Sequence, residues 1–323
     1  MGEKLKFGVF GTWRGLAFIK SIGMQEDAEV TAICDCDPEK IREAIPACPA
    51  GVKVCADFDE LIKSGIDAVV LCNYFNEHAP YAIRAMRAGI DVLSETTAAS
   101  TLKECVELAE AVEETGRTYA LAENYPFFRA NMEMARVYKS GVLGNVIFAE
   151  GEYVHPMSSE ESAHFTPSKT HWRYNNPKTY YLSHSLAPLM TITGLMPKRV
   201  IGKVAERRDY AVSQSKTSAD GAGIMLVEMD GGALFRIAGS CSFGSRGNWY
   251  RLGCEKGGIE SLRGTNDKVR LAINEWELTD ATRQMGTECV YSPEMTELDR
   301  KAQSFGHEQA GASHLDRGLA VHL

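Results

Sequence analysis

Two tyrosine–histidine pairs are the residues of this sequence whose spacing best suits proton-transfer chemistry. Tyr153 and His155 lie two residues apart in the strand-like stretch GEYVHP, so their side chains point to the same face. Tyr181 and His184 lie three apart in YLSHSLAP, which places both on one face of a helical turn. We expect all four to act as catalytic acids and bases at one site. For each histidine taken alone, a structural bond to a backbone carbonyl is the alternative.

Further residues are candidates for ligand binding. Glu123 and Asn124 follow the strand-like run TYALAEN, and ligands bind at the carboxyl ends of parallel strands in doubly wound folds. For Asn124, a helix cap before Pro126 explains the residue as well as substrate contact does. Arg173 in HWRYNN suits a substrate hydroxyl or carboxylate, or else a surface ion pair. Tyr250 in NWYRLG either closes the substrate site or packs on a sheet.

Two different kinds of domain are predicted to position these candidates. From residue 1 to residue 123, helix-like stretches alternate with the apolar runs LKFGVFG, VTAICDCD, VKVCAD, IDAVVLC, IDVLSE and TYALAEN. Continuously apolar strands that alternate with helices predict a parallel sheet covered on both faces. We therefore expect an α/β Rossmann domain with a doubly wound parallel sheet over residues 1–123.

Two helices of this region have explicit start signals. Asp37 and Pro38 form a cap and a first helical residue, and Thr101 with Glu104 forms a capping box. The helix after Thr101 has apolar residues that we expect it to bury. They are Leu102, Cys105, Val106, Leu108, Ala109 and Val112.

The pattern changes after residue 124. A helix over about residues 131–140 precedes runs in which apolar and polar residues alternate. One of them, GIMLVEMDGGALFRIAGSC, turns at the segment Asp230-Gly231-Gly232. Alternation predicts a mostly antiparallel sheet with one buried and one open face. We expect a C-terminal α+β domain for substrate binding and oligomerisation over residues 124–323.

The stretch GVFGTWRGLAF after the first strand retains part of a dinucleotide-binding fingerprint. A full fingerprint would read G-x-G-x-x-G; here Gly11 and Gly15 remain, with Trp13 between them, and an ordinary tight turn is the alternative. Asp35 ends the second strand 24 residues after Gly11, where a carboxylate accepts hydrogen bonds from a ribose diol. Backbone N–H groups at the helix start hold the pyrophosphate. An acid without an adjacent arginine favours NAD over NADP. The expected cofactor contacts of this kind are Gly11, Thr12, Trp13, Arg14, Gly15, Asp35 and Glu123.

The chain resembles the Gfo/Idh/MocA family of NAD(P)-dependent sugar and polyol enzymes. The likeness rests on the order of elements, on CNYFNEHAPYAIRAMRAGIDVLSE and on the change of pattern near residue 124. It implies that Asn73, His78 and Glu95 also serve the cofactor. Ordinary dehydrogenases of the family carry Glu-Lys-Pro after the fifth strand, and the lysine serves the active site. Here the triplet is Glu95-Thr96-Thr97, a departure that puts simple alcohol dehydrogenation in doubt.

A narrower resemblance bears on the missing lysine. The NAD-dependent α-N-acetylgalactosaminidases of the same superfamily also lack it, and TAASTLKECVELAEAVEETG, AENYPF, GEYVHP and YLSHSLAP are similar to their motifs. Those glycosidases are longer and have a fuller glycine fingerprint. The likeness ends near Gly311, where related proteins continue into a Gly-rich turn and a long helix, so we expect a natural short form or a truncated chain.

Three functions follow from these observations. The first is an NAD-dependent oxidoreductase that moves a hydride between a sugar or polyol carbinol and nicotinamide, with His184 as the base. The second is a redox-neutral glycosidase or lyase, in which transient ring oxidation acidifies a C–H bond that a tyrosine deprotonates. The third is a non-catalytic NAD-binding sensor. In the first two, Glu95 and the adjacent threonines only orient cofactor and substrate.

Composition limits the partners. The 323 residues carry 35 basic and 43 acidic side chains, a net charge of -8 that disfavours nucleic acid. No apolar run approaches the roughly 20 residues that span a bilayer. Nine cysteines without any C-x-x-C predict reduced thiols in a cytoplasmic protein and no metal site. The open sheet face predicts a homo-oligomer, a dimer or tetramer. The resemblance implies that its substrate is a small carbohydrate.

Overall fold

The computed structural model describes residues 3–156, 160, 178–206, 220–240, 244–265, 267–278, 283, 287–297 and 299–300. These residues divide between Glu123 and Asn124 into two compact units, and each is a separate layered structure. The substrate contact expected from Arg173 lies outside the described residues, and so does the end of the chain after residue 300.

The first unit is a six-stranded parallel sheet with helices on both faces. Its strands are β1 (Leu5–Phe10), β2 (Ala28–Cys34), β3 (Lys53–Val54), β4 (Ala68–Leu71), β5 (Asp91–Ser94) and β6 (Tyr119–Leu121). Its helices are α1 (Thr12–Gly23), α2 (Pro38–Ala44), α3 (Phe58–Ile62), α4 (His78–Arg87) and α5 (Leu102–Thr115). The strand order is β3-β2-β1-β4-β5-β6, with every pair parallel. This is the predicted doubly wound Rossmann sheet.

Both predicted caps form. Asp37 accepts a hydrogen bond of 2.9 Å from the Glu39 N–H at the start of α2. At the start of α5, the Glu104 N–H donates to the Thr101 hydroxyl over 3.2 Å, and the Thr101 N–H donates to the Glu104 carboxylate over 3.0 Å. These bonds satisfy N–H groups that a helix leaves without partners in its first turn, so the sequence alone fixes where both helices begin.

The predicted buried face of α5 is wrong in most positions. Leu102 and Val106 are 86% and 56% exposed, and Cys105 and Ala109 are exposed as well. Of the predicted residues only Leu108 is fully buried, and the helix buries Ala111 beside it, on a face about a third of a turn away from that of the four exposed residues. The apolar residues of α5 are spread over more than one face, so periodicity alone did not identify the face that packs.

In the second unit, the described residues form an eight-stranded sheet with two helices of more than two turns on one face. Its strands are β7 (Val146–Val154), β8 (Pro197–Glu206), β9 (Asp220–Met229), β10 (Leu234–Ser240), β11 (Gly247–Cys254), β12 (Gly257–Ser261), β13 (Val269–Ile273) and β14 (Glu288–Tyr291). The helices are α6 (Arg129–Lys139) and α7 (Ser183–Thr193). In the order β14-β13-β12-β11-β7-β10-β9-β8, only the β7–β10 pair is parallel, which confirms a mostly antiparallel sheet. The β9–β10 hairpin turns at the predicted Asp230-Gly231-Gly232 segment.

Alternation along the strands gives this sheet two unlike faces. One face packs with α6 and α7 into a single apolar core that includes Leu189, Phe235 and Tyr250. The other face carries ion pairs. Glu150 pairs with an arginine on each of the two neighbouring strands, and Glu152 pairs with Arg263. Among the described residues, no helix is long and apolar enough to cross a membrane. Because helices and an apolar core cover only the first of these two faces, the loops beside that face are the ones that can build a buried site.

Candidate functional site

The turn between β1 and α1 requires its two glycines. Gly11 has a φ of +90°, and a Cβ built on it would lie 2.4 Å from the Cys72 carbonyl carbon and oxygen. A Cβ on Gly15 would lie 2.5 Å from Val9 Cγ1, so α1 packs directly on β1 at that point. A tight turn and a close helix–strand contact are what the first and last glycines of a dinucleotide fingerprint provide, although Gly15 lies four residues after Gly11 and the fingerprint's last glycine lies five after its first. The local geometry therefore fits a dinucleotide-binding turn.

Asp35 stands at the end of β2 beside this turn. One of its carboxylate oxygens accepts hydrogen bonds from the Thr12 N–H at 2.5 Å and from the Thr12 hydroxyl at 3.0 Å. The other accepts from the Asp37 N–H at 2.9 Å. A carboxylate offers about four acceptor positions, and the Cys36 thiol also hydrogen-bonds to Asp35, so a ribose hydroxyl competes with these groups for the carboxylate. Asp35 thus fits the role of ribose acceptor, in competition with the buried Thr12.

Arg14 and Glu95 form an ion pair between the first turn of α1 and the end of β5. The Arg14 Nε donates to one oxygen of Glu95, and the Thr96 N–H donates to the other over 2.9 Å. Glu95 is 7% exposed, whereas the Arg14 side chain is almost half exposed. The peptide bond between Thr96 and Thr97 is cis. Both oxygens of Glu95 are occupied, which suits an orienting role. The N-terminus of α1, where Arg14 lies, favours a pyrophosphate.

His78 is held in the interior of the first unit. It is 1% exposed, with Nδ1 2.9 Å from the Thr97 carbonyl oxygen and Nε2 3.2 Å from that of Asn73. Burial lowers the pKa of His78, and this outweighs the carbonyl contacts and nearby Glu95, which raise it. The ring therefore joins two loops at the cofactor edge of the sheet, and its direct contact with a cofactor stays a prediction. Asn73 has a buried side-chain oxygen without a hydrogen-bond partner among the described residues, and its contact with a cofactor stays a prediction as well.

The two remaining cofactor candidates differ in exposure. Trp13, the second residue of α1, is 50% exposed, so its ring is open to contact on the outside of the turn. Glu123, just after β6, is 5% exposed. Contact between either residue and NAD stays a prediction.

The four Tyr and His residues predicted to act together lie together in the second unit. The ring centroids of Tyr153 and His184 are 4.8 Å apart, and those of Tyr181 and His184 are 5.6 Å apart. His155 stacks at 5.9 Å from Tyr153. Tyr153 and His184 are each 8% exposed, while Tyr181 and His155 are half-buried. We call these four residues the Tyr/His cluster; the structure brings them together, and their catalytic roles stay predictions.

Tyr125 completes the surroundings of His184 and was missed from the sequence. Its ring stacks on His184 with centroids 4.4 Å apart and lies edge-on to Tyr153 at 5.4 Å. Asn131 fixes it by donating from Nδ2 to the Tyr125 carbonyl oxygen over 2.8 Å. The only signal was its place next to Asn124, the residue that begins this short turn. The stack makes Tyr125 part of any site built around His184.

Helix α7 carries His184, and glycines of the sheet let its first turn come close. A Cβ on Gly151 would lie 2.0 Å from the Ser185 carbonyl oxygen, and one on Gly239 would lie 2.9 Å from Leu182 Cδ2 and 3.5 Å from the Ser185 hydroxyl oxygen. The Ser185 hydroxyl donates to the Ala238 carbonyl oxygen over 2.9 Å. His184 is therefore brought to Tyr153 by backbone packing that a larger residue at position 151 would prevent.

Tyr250 does not lie on a substrate surface. It is fully buried in the core of the second unit, and its hydroxyl donates to the His184 carbonyl oxygen over 2.7 Å. The packing alternative describes this position, and the expected substrate contact does not. Asn124 is half-buried, and its carbonyl oxygen accepts from the Phe127 N–H at 3.2 Å, so contact of its side chain with substrate stays a prediction. Within the described ranges, no group of three or more His, Cys, Asp or Glu side chains is arranged to hold a metal ion.

Comparison with known proteins places these features in context. Residues 5–123 match the family described as "Oxidoreductase family, NAD-binding Rossmann fold" (GFO_IDH_MocA). A glycosyl hydrolase family 109 protein of Stenotrophomonas maltophilia is 28% identical over 225 residues, which cover 60% of this chain and 50% of the relative. The chain thus spans about half the length of that relative.

Solved structures resemble the whole chain at low sequence identity. The WlbA dehydrogenase from Bordetella pertussis, in complex with NADH and UDP-GlcNAcA, has a TM-score of 0.71 and 18% identity and covers 100% of this chain and 87% of its own. An NAD binding oxidoreductase from Klebsiella pneumoniae has a TM-score of 0.74 and 15% identity, with 98% and 88% covered. These neighbours confirm the predicted fold. With the family match, they confirm the expected resemblance and the expected NAD-binding domain.

Proposed function

Because residues 5–123 carry the NAD-binding Rossmann fold of the Gfo/Idh/MocA oxidoreductases, we propose that the chain is an NAD-dependent oxidoreductase acting on a sugar or polyol. The observation that supports this most is the Tyr/His cluster. Three further side chains able to transfer protons, those of Tyr153, His155 and Tyr181, lie together with His184 in the second unit. Hydride transfer from a carbinol requires one such group, a base for the hydroxyl proton.

When bound, NAD supplies a hydride acceptor at its nicotinamide ring. In the proposal, Asp35 accepts a hydrogen bond from the adenosine ribose, and the first turn of α1 with Arg14 binds the pyrophosphate. Glu95, with both oxygens occupied by Arg14 and Thr96, holds the end of β5 in place and takes no proton. The proton chemistry then belongs to the second unit.

His184 is the proposed base, and the surrounding rings define how a sugar meets it. Tyr125 and Tyr153 cover two sides of the imidazole, one stacked and one edge-on, and their rings exclude water from it. Tyr153 and Tyr181 provide phenolic hydroxyls that can donate to further sugar hydroxyls or to a leaving group. Asn124 is proposed to bind substrate at the start of the same turn.

A redox-neutral glycosidase or lyase is the second candidate. It is supported by the glycosyl hydrolase family 109 relative and by the Glu95-Thr96-Thr97 triplet, which lacks the lysine of ordinary dehydrogenases. It requires two proton-transfer groups, and a phenol and an imidazole are both present in the Tyr/His cluster. The two candidates differ in one quantity: the first changes the amount of reduced nicotinamide per product formed, and the second does not.

The test is His184→Asn, with Tyr291→Phe as a matched control outside the cluster. We expect the His184 variant to lose turnover by about a hundredfold or more while NAD binding, measured by calorimetry, is unchanged. The control should retain turnover. Full activity of the His184 variant would reject the assignment. If the wild-type protein turns over no substrate, and both proteins respond to a bound ligand in the same way, the sensor is favoured. Product and reduced nicotinamide, quantified together, separate the oxidoreductase from the glycosidase.

A homo-oligomer is also proposed, with a second copy bound to the open face of the eight-stranded sheet. Ile201, Ile224 and Leu226 on β8 and β9 are each at least 41% exposed, beside the ion pairs of the same face. Exposed branched side chains on adjacent strands suit a dimer interface. Sedimentation at micromolar concentration should show a dimer or tetramer, and Ile224→Lys should shift it to monomer; a monomeric wild-type protein would contradict the proposal.

A cytoplasmic location is proposed from the cysteines. The eight cysteines in the described part of the chain are free thiols. Thiol titration of the denatured protein without reductant should find nine free thiols per chain. A stable disulfide in protein purified from its native source would argue against a reducing compartment.

A further inference from the structure

Helix α7 contains a proline that affects the backbone of His184. In an α-helix the N–H of residue 188 would donate to the carbonyl oxygen of residue 184, four positions earlier. Residue 188 is Pro188, which has no N–H and whose ring crowds that same carbonyl. The His184 carbonyl therefore lacks its usual helical donor, and a buried carbonyl needs another one.

Tyr250 supplies the donor that Pro188 cannot. Its hydroxyl lies 2.7 Å from the His184 carbonyl oxygen, and its side chain is fully buried. Tyr250 is itself fixed, because its N–H donates to the hydroxyl of Ser261 on the neighbouring strand β12 over 3.0 Å. A buried carbonyl that loses its partner is costly, so this hydroxyl has a definite role in the packing of α7.

The strand register shows why the contact falls on the first turn of α7. Tyr250 on β11 pairs with Gly151 on β7. Two consecutive carbonyls of the helix meet this pair: that of His184 accepts from Tyr250, and that of Ser185 lies over Gly151. One cross-strand pair thus sets both the height and the rotation of the turn that carries the His184 side chain.

We propose that Tyr250 is a positioning residue for His184, acting through the carbonyl that Pro188 leaves without its helical donor. This rests on the proposed role of His184 as the base. The imidazole contacts Tyr125 and Tyr153 at ring distances of 4.4 and 4.8 Å, so a rotation of the turn alters its stacking and its direction. Tyr250 never touches substrate and affects the reaction only through the placement of that ring.

The first test is Tyr250→Phe, which removes one hydroxyl and keeps the ring. We expect the ring proton signals of His184 to shift in the NMR spectrum, after assignment among the eight histidines with His184→Asn. The melting temperature should fall by roughly 2–8 °C, and turnover should fall by about ten- to a hundredfold with NAD affinity unchanged. Tyr291→Phe is the control. It removes a hydroxyl that donates to Glu133 over 2.6 Å, and it should lower the melting temperature without shifting the His184 signals.

The second test restores the missing donor. Pro188→Ala provides an N–H at position 188, so Tyr250→Phe should cost clearly less melting temperature in that background than in the wild-type chain. Equal losses in both backgrounds, or unshifted His184 signals in Tyr250→Phe, would overturn the positioning role. The NMR and thermal measurements need no substrate. If these measurements give the expected shifts in a protein without activity on any sugar, the proposed function fails and the positioning role stands. If the protein is active but the His184 signals do not shift in Tyr250→Phe, the positioning role fails and the proposed function stands.

Discussion

Gly151→Ala tests whether close backbone packing sets the position of His184. The added Cβ would lie 2.0 Å from the Ser185 carbonyl oxygen and 3.2 Å from Leu189 Cδ1. Real Cβ atoms stay at least 3.0 Å from such atoms, so α7 must lift by about 1 Å. The obstacle is backbone, which cannot rotate away as a side chain can. Overpacking of this kind costs about 1–3 kcal/mol of the free energy of unfolding, or roughly 2–12 °C in melting temperature for a unit of this size.

Gly253→Ala is the matched control for this change. It lies on β11 in the same sheet, and its built Cβ would be 3.5 Å from the nearest atom, the Phe148 carbonyl oxygen. With space available, the substitution should leave stability unchanged or raise it by about 0.4–1 kcal/mol, because alanine loses less chain entropy on folding. The melting temperature should therefore fall in the Gly151 variant and stay unchanged or rise in the Gly253 variant. A displacement of about 1 Å at His184 should also reduce turnover by up to about a hundredfold in the Gly151 variant only. Equal melting temperatures for the two variants would refute the packing argument.

Three further predictions concern the first unit. Asp35→Asn should weaken NAD binding about tenfold or more by calorimetry. Thr12→Ala should strengthen it a few-fold, because it removes a hydroxyl that donates to the Asp35 carboxylate. Weaker NAD binding in the Thr12 variant would contradict the view that Thr12 competes with the ribose for Asp35. Thr101→Ala should lower the free energy of unfolding by about 1 kcal/mol in chemical denaturation, since it removes the hydroxyl that accepts from the Glu104 N–H, and an unchanged midpoint would be inconsistent with that. Burial lowers the pKa of His78 in the folded state, so the unfolded chain binds its proton more readily; stability should therefore be full above its ordinary value of 6.5 and fall as the pH drops through that value towards the lower folded pKa. His78→Gln should flatten that part of the pH–stability profile, and an unaltered slope would show that another group causes it.

Much of the first unit could be predicted because its signals are local. The caps at Asp37 and Thr101 depend on residues within three positions of each other, and both form. Apolar strands that alternate with helices leave few arrangements besides a parallel sheet. The buried face of α5 could not be predicted in the same way, since Leu102 and Val106 are as apolar as Leu108 and only tertiary contacts decide between them.

The candidate site shows the same division. Spacing of two in a strand and three in a helical turn correctly grouped each Tyr with its His, because those rules are geometric. The two Tyr–His pairs come together because β7 and α7 pack against each other in space, and Gly151 allows this close contact since it has no side chain. Tyr125 and Tyr250 contact His184 although they lie 59 and 66 residues away from it in the sequence. The parallel β7–β10 pairing also joins residues that are far apart in the sequence, so no local pattern reveals any of these three features.

The most direct measurement is a single-turnover experiment with NAD bound at one equivalent per chain. A panel of hexoses, hexosamines, polyols and aryl glycosides is mixed with the protein, and absorbance of reduced nicotinamide is followed in the wild-type chain and in His184→Asn. The account predicts a reduced-nicotinamide signal, lasting for an oxidoreductase and transient for a glycosidase, with at least one compound in the wild-type chain. It predicts a much slower signal in the variant at equal NAD occupancy. No signal with any compound, or the same rate in both proteins, would contradict the claim that the Tyr/His cluster carries the proton chemistry of an NAD-dependent reaction on a sugar.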